Sequence, residues 1–241
     1  MSVITEKTVR ELALEHAGAT RLFEKLGIDY CCSGNRTLEQ ACYAARVPVD
    51  QVMRELEVQQ PMSPADSRDR NWPSEPLSDM VSHITRTHHK YTRDAIARLT
   101  PLFAKVCSAH GANHPELLEL RDLFTGLAQE LATHLMKEEM ILFPYVLRME
   151  EAVLEKAPIF PAPFGTVQNP VRMMEHEHDS AGNALRGMRE ISRDYAVPPD
   201  ACVSYQSLYK ALAELEADLH RHIHLENNIL FPRAIVMEKG H

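Results

Sequence analysis

Two copies of a short motif carry the residues that could do chemistry. The first copy reads HLMKEEMILFP from His134, and the second reads HIHLENNILFP from His222. In each copy a histidine precedes a glutamate by four residues, His134 before Glu138 and His222 before Glu226. This spacing puts an imidazole and a carboxylate on one face of a helix, one turn apart. The repeat therefore predicts that both copies contribute ligands to a metal site.

A further histidine precedes each copy on the helix before it. His89 lies 45 residues before His134, and His178 lies 44 residues before His222. Two helical hairpins would thus supply four imidazoles and two carboxylates to a shared core. That set suits two metal ions, each bound by two histidines, with both glutamates bridging, and it favours iron or manganese over structural zinc. The alternative is a duplicated packing motif, since Ile-Leu-Phe-Pro is typical of a core and a helix end.

The first histidine ligand has a neighbour that competes with it. Apolar periodicity would point His88 inward, whereas the matched hairpin spacing favours His89. Two acids also stand out, because Glu130 lies one turn before His134 and Glu177 directly precedes His178. Each is either an ordinary surface charge or an acid that orients ligands and moves protons or ions to the site.

The elements that would hold these residues are long amphipathic helices. Few glycines and many Ala, Leu, Glu and Met residues favour helix, and no segment alternates like a strand. We expect an all-α fold with a four-helix bundle over residues 77–241. Pro101 should kink the first helix. The four helices are predicted at about 77–110, 115–150, 169–195 and 200–237.

A small helical domain is predicted to precede the bundle, over residues 1–58. Capping-box patterns begin at Thr8 and at Thr37, and Gly27 suits a helix C-terminus. Residues 59–76 contain four prolines among polar residues, which indicates a linker between the two domains.

Composition excludes several classes of function. The chain has 241 residues and a net charge of −8, which argues against a general nucleic-acid surface. No apolar run approaches the roughly 18–20 residues of a membrane span, and the N-terminus lacks a signal-peptide pattern. Five cysteines, an odd count, argue against a secreted disulfide framework. We therefore expect a cytoplasmic protein.

Two cysteines could contribute chemistry from the N-terminal domain. Cys31 and Cys32 are adjacent in a predicted turn, where a disulfide would close a strained ring, so we expect two thiols. Arg36 and the next helix start could lower a thiol pKa; the alternative is a pair of ordinary thiols. The remaining cysteines fall in helical patterns that predict packing residues: Cys42, Cys107 and Cys202.

These motifs resemble the repair-of-iron-centres family (the YtfE/ScdA type), whose bundle is hemerythrin-like. The resemblance covers essentially the whole chain and is loosest around Thr87–Tyr91, where it fits His89 as the ligand. The segments that carry it are Asp29–Gly34, His134–Glu139, Ile141–Pro144, Glu177–Asp179 with Ala181–Gly182, His222, Leu225–Asn228 and Leu230–Arg233.

The resemblance implies a non-haem di-iron centre with four histidines, two bridging glutamates and an oxo or hydroxo bridge. It implies repair of iron–sulfur clusters damaged by nitric oxide or peroxide, so damaged iron–sulfur proteins would be partners. Two mechanisms are attributed to the family, iron donation and nitric oxide reduction, and the sequence does not decide between them. Glu130 and Glu177 would then line a route to the metals.

Two other functions compete with repair. A hemerythrin-like carrier or sensor would bind oxygen or nitric oxide as a small ligand, but it has no need of a Cys-Cys domain. A ferritin-like oxidase would favour Glu-x-x-His spacing, which is absent at the repeated ligand positions. The sequence is compatible with a homodimer and does not define the oligomeric state.

Overall fold

The described part of the chain is helical, as the sequence predicts. The computed structural model describes residues 6–16, 18–31, 33–58 and 71–240. The expected linker falls largely on residues 59–70, which lie outside the described residues. Two compact units divide the chain. The first holds the described residues up to Pro76 together with Ile223–Arg233, and the second holds Leu77–His222 and the residues from Ala234 onward.

Short helices build most of the first unit. They are α1 (Val9–Glu15), α2 (Ala19–Leu26), α3 (Leu38–Ala45) and α4 (Val49–Val58). Their apolar faces meet in one core, which burial of hydrophobic area stabilises. Its fully buried members include Val9, Leu12, Ala19, Phe23, Leu38, Cys42 and Val52.

Local hydrogen bonds at the helix ends follow the sequence prediction. The Thr8 hydroxyl accepts from the Glu11 N–H at 3.2 Å, and the Glu11 carboxylate accepts from the Thr8 N–H at 2.8 Å. Thr37 and Gln40 repeat this reciprocal pair at 3.3 and 3.2 Å. Gly27 ends α2 with φ 67°, a left-handed conformation that glycine adopts without a Cβ penalty. Both predicted capping boxes and the predicted helix end are therefore confirmed.

Four long helical stretches form the bundle, and π-helical segments interrupt three of them. The first stretch is α5 (Leu77–His83), a π segment (Ile84–His89) and α6 (Lys90–His110), which continues through Pro101. The second is α7 (Glu116–Lys137), a π segment (Glu138–Leu142) and α8 (Phe143–Glu155). The third is α9 (Gln168–Ile191). The fourth is α10 (Val203–Leu225), a π segment (Glu226–Leu230) and α11 (Phe231–Lys239).

The interior of the second unit is hydrophobic in one part and polar in another. One part is a hydrophobic core around Leu99, Phe103, Phe124, Leu185 and Leu212, all at most 2% exposed. The predicted site residues come from the other parts of the same helices. An apolar core therefore fixes the helices from which the polar side chains project.

Candidate metal centre

π-Helical geometry occurs where the predicted ligands lie. His89 ends one π segment, Glu138 begins the second and Glu226 begins the third. A π segment adds one residue to a helical turn and is frequent at functional sites, because it re-aims side chains without breaking the helix. His178 differs, since it lies in the uninterrupted helix α9.

Four imidazoles converge in two pairs. The Nε2 atoms of His89 and His222 lie 3.2 Å apart, and those of His134 and His178 lie 3.0 Å apart. All four residues are at most 3% exposed. Ring nitrogens that face each other in this way can serve one ion per pair.

Two carboxylates are common to both pairs. Glu138 Oε2 lies 3.3 Å from His89 Nε2 and 3.4 Å from His134 Nε2. Among the described residues, Glu138 and Glu226 form one group with His89 and His222 and another with His134 and His178. Within each group the donor atoms lie within 4.8 Å of one another.

The chemistry of this donor set fits metal ions. Both glutamates have 0% exposure, and burying carboxylates is costly unless cations or hydrogen bonds compensate. Four neutral imidazoles and two carboxylates supply nitrogen and oxygen ligands of the kind that iron and manganese accept in helix bundles. The residues of this chain therefore suit a cation-binding centre in the bundle interior.

An acid outside the groups orients His89. Glu139 Oε1 lies 2.7 Å from His89 Nδ1, and Arg93 donates to Glu139 Oε2 at 3.0 Å. Burial raises the pKa of Glu139, but the hydrogen bonds from Arg93 and His89 outweigh it, so the pKa lies below its ordinary value. A carboxylate on Nδ1 fixes the tautomer that leaves Nε2 free to bind a metal.

A second acid does the same for His134. Glu177 Oε2 lies 2.8 Å from His134 Nδ1, and Lys137 pairs with the other carboxylate oxygen. Burial raises the pKa of Glu177, but the hydrogen bonds from Lys137 and His134 outweigh it, so the pKa lies below its ordinary value. One of the two acids singled out in the sequence thus contacts a predicted ligand directly.

His88 lies beside the cluster but in neither group. Its ring stacks on that of His222, with centroids 5.6 Å apart and planes at 3°. Its Nδ1 lies 3.1 Å from Asp218 Oδ2. The structure therefore places both adjacent histidines inward, and only His89 directs a nitrogen towards the shared carboxylates.

The other predicted functional residues are not in the groups. Glu130 is exposed and accepts a hydrogen bond from Ser180 Oγ at 3.0 Å. Cys31 is buried, with its N–H and Sγ directed at Asp29 Oδ1 at 3.2 and 3.6 Å. Cys32 lies outside the described residues.

Sequence reasoning missed two acids that the structure brings to the site, Glu139 and Asp218. A usable signal existed for Glu139, because it adjoins Glu138 as Glu177 adjoins His178. Asp218 lies one turn before His222 on the same helix, and nothing in the repeat marks it. Cys202 corrects a further expectation: it precedes α10 and is exposed, so it is not a packing residue.

Comparison with known proteins gives matches over nearly the whole chain. Residues 80–234 match the Hemerythrin HHE cation binding domain, and residues 5–60 match ScdA_N, described as a domain of unknown function. A probable iron-sulfur cluster repair protein of Haemophilus influenzae is 33% identical over 231 residues, 95% of this chain and 97% of the relative. The iron-sulfur cluster repair protein YtfE of Escherichia coli is 35% identical over 236 residues, 97% and 98% of the two chains. YtfE of Pectobacterium carotovorum is 34% identical over 230 residues, 95% and 97%.

The helices of the described residues do not include a membrane-spanning segment. Each helix among them is too short or too polar to cross a bilayer.

Proposed function

Because this chain belongs to the family of hemerythrin-like iron–sulfur cluster repair proteins, we propose that it restores damaged iron–sulfur clusters by means of a di-iron centre. The observation that carries this proposal is the sharing of Glu138 and Glu226 between two buried histidine pairs. When bound, two iron ions would supply iron for donation or a redox site for nitric oxide.

The chain's own residues would give the two ions matched surroundings. His89 with His222 would hold one ion and His134 with His178 the other, and Glu138 and Glu226 would supply carboxylate ligands common to both. Glu139 would hold the Nδ1 proton of His89. The corresponding support for His134 comes from Glu177, whose negative charge Lys137 partly neutralises, as Arg93 does for Glu139.

Glu130 and Glu177 would act outside the ligand set. Glu177 lies between the ligand His134 and the exterior, at intermediate exposure, so it can pass a proton or attract a cation towards the imidazole. Glu130 is exposed on the same helix as His134, one turn earlier, where its charge would favour the approach of ferrous ions.

Cys31 and Cys32 are proposed to take part in the repair reaction. Among the described residues, Cys42, Cys107 and Cys202 are free thiols, which suits a reducing compartment such as the cytoplasm. Damaged iron–sulfur proteins would be the partners, and nitric oxide or oxygen the small ligands. A homodimer is compatible with this role and is tested by measuring mass in solution.

Metal content tests the centre itself. Protein from iron-replete cells should contain two iron ions per chain and absorb in the near ultraviolet. Glu138→Ala and Glu226→Ala should each lower the iron content, because each removes a ligand common to both ions. Recovery of a single zinc ion and no iron would contradict the proposal.

Repair is tested with an iron–sulfur enzyme damaged by nitric oxide. Iron-loaded protein should restore its activity, whereas a carrier or sensor should not. Loading with an iron isotope separates the mechanisms: donation moves the label into the repaired enzyme, while nitric oxide reduction leaves it on this chain. Cys31→Ser with Cys32→Ser, loaded to equal iron, should repair less; recovery equal to that of the unaltered protein would exclude a role for the thiols.

A further inference from the structure

The two copies of the repeat differ in solvent exposure, because part of the second copy packs in the first unit. Met136 and Met140 of the first copy are 55% and 73% exposed. The matching residues of the second copy, His224 and Asn228, are 7% and 5% exposed. The second copy is therefore adapted to be covered by protein.

The second copy is covered by residues around the Cys-Cys turn. Asn228 Nδ2 donates to the Tyr30 carbonyl at 3.0 Å, and Asn227 Nδ2 donates to the Cys31 carbonyl at 3.3 Å. The Tyr30 ring meets the His224 ring edge-on, with centroids 5.2 Å apart. The contact is thus polar and directional as well as apolar.

Arg10 supplies a side-chain donor to the helix backbone in this contact. In an α-helix the Asn228 carbonyl would accept from the N–H of residue 232, but that residue is proline and has none. Arg10 Nη2 donates to this carbonyl at 3.0 Å in a part-buried position. The matching carbonyl of the first copy belongs to Met140. This residue is exposed, so water can donate the hydrogen bond instead.

The carbonyl that Arg10 binds belongs to the π segment that carries Glu226. Asn228 follows Glu226 by two residues, and the Phe231 N–H bonds to the Glu226 carbonyl, the wide hydrogen bond of a π turn. The backbone of this turn sets the direction of the Glu226 carboxylate. A donor that fixes the Asn228 carbonyl therefore also restrains the backbone of Glu226, two residues earlier in the same turn.

We propose that Arg10 is a positioning residue for the metal centre: by holding the Glu226–Leu230 π segment, it slows the loss of the metal ions. The proposal rests on the proposed di-iron function, and it assigns to the N-terminal unit control over how readily iron is released. A charge-assisted hydrogen bond is suited to this, being stronger than a neutral one.

The test measures iron release from the full chain to a ferrous chelator after reduction. Arg10→Met keeps the length of the side chain and removes its donors, and release should quicken by about tenfold, the usual size of an outer-ligand effect on metal binding. Arg10→Lys retains a cationic donor and should release iron more slowly than Arg10→Met. Arg54→Met removes an exposed arginine from the same unit and should match the unaltered protein.

A spectrum separates positioning from general loss of stability. The near-ultraviolet band of the iron-loaded protein should change in Arg10→Met and not in Arg54→Met, at a temperature where circular dichroism shows both folded. If Arg10→Met does not fold, Gly34→Ala replaces it, because an added Cβ would lie 3.0 Å from Asn228 Oδ1 and 3.2 Å from Arg10 Cβ and would disturb the same contact.

The outcomes distinguish this proposal from the function it rests on. Equal release rates in Arg10→Met and the unaltered protein would overturn the positioning role, as would equal acceleration by Arg54→Met or by Arg10→Lys. Failure of the unaltered protein to bind iron would instead overturn the di-iron function, before any variant is compared.

Discussion

At the scale of single residues, two adjacent histidines have different surroundings. His89 directs Nε2 at the shared carboxylates and its Nδ1 at Glu139. His88 bonds to Asp218 and stacks on His222 instead. The hairpin spacing of the sequence favours His89, the residue that the structure places in the cluster. Apolar periodicity was also informative, because His88 is only 5% exposed.

Substitution of each histidine should separate a ligand from its neighbour. His89→Ala should lower iron content by at least half, since one ion loses an imidazole and the pair loses its symmetry. His88→Ala should retain most of the iron, because Glu138, Glu226 and the four histidines of the two groups are all unchanged. Iron per chain, measured after gel filtration, decides; retention in His89→Ala with loss in His88→Ala would reverse the assignment.

Cys202 is a residue whose reactivity the sequence did not indicate. Backbone N–H groups at the start of α10, that of Tyr205 foremost, and a hydrogen bond with His110 lower the pKa of Cys202 to about 7. Burial raises the pKa of the Cys42 thiol. At pH 7.5 iodoacetamide should therefore modify Cys202 at least about tenfold faster than Cys42. Peptide mass spectrometry of the native protein checks this, and Cys202→Ser is the control; prior labelling of Cys42 would contradict it.

At the scale of the elements, the sequence was most informative where one local rule acts alone. Reciprocal hydrogen bonds at Thr8 and Thr37 follow from residues three apart, and they are present as predicted. The π segments could not be predicted in this way. A π turn inserts one residue without changing which residue types are apolar, and its stability comes from packing and from ligand geometry rather than from local preference.

A further element-scale feature is the imidazole that joins two loops of the bundle. His114 Nδ1 lies 2.8 Å from Glu116, and its Nε2 lies 3.1 Å from Asp200, in the connection between α9 and α10. The hydrogen bond with Glu116 and then that with Asp200 raise the pKa of His114. The protonated imidazole is thus the form that holds the two loops together.

This raised pKa gives the stability contribution a definite pH dependence. The contribution is fully present below the unfolded histidine pKa of about 6.5. It is lost as the pH rises through the higher folded pKa. Urea unfolding should therefore show His114→Gln to be less stable than the unaltered protein at pH 5.5, with a smaller difference at pH 8.5. A difference that grew with pH would show that the carboxylates do not act on His114 in this way.

At the scale of the whole molecule, the linear domain boundary does not describe how the chain packs. The sequence predicts a linker at residues 59–76 and a bundle over residues 77–241 that contains every proposed ligand. The structure assigns residues 223–233 to the same unit as the N-terminal helices. The reason is physical. The buried side chains of Asn228 and His224 contact Tyr30, and Arg10 donates to the Asn228 carbonyl; contacts so distant in sequence leave no periodic signal.

Removal of residues 1–76 should therefore change the metal centre without removing a ligand. The shortened chain would expose Asn228 and His224 to water and lose the Arg10 donor, and the turn that carries Glu226 would lose its support. We expect it to bind iron but to lose it at least about tenfold faster on dialysis, with a lower Tm. Arg10→Met in the full chain should reproduce part of the faster loss while keeping most of the Tm, which separates the local contact from the general effect of truncation. Equal iron retention by the shortened and full chains would show that the N-terminal unit does not act on the centre, whatever its thiols contribute to repair.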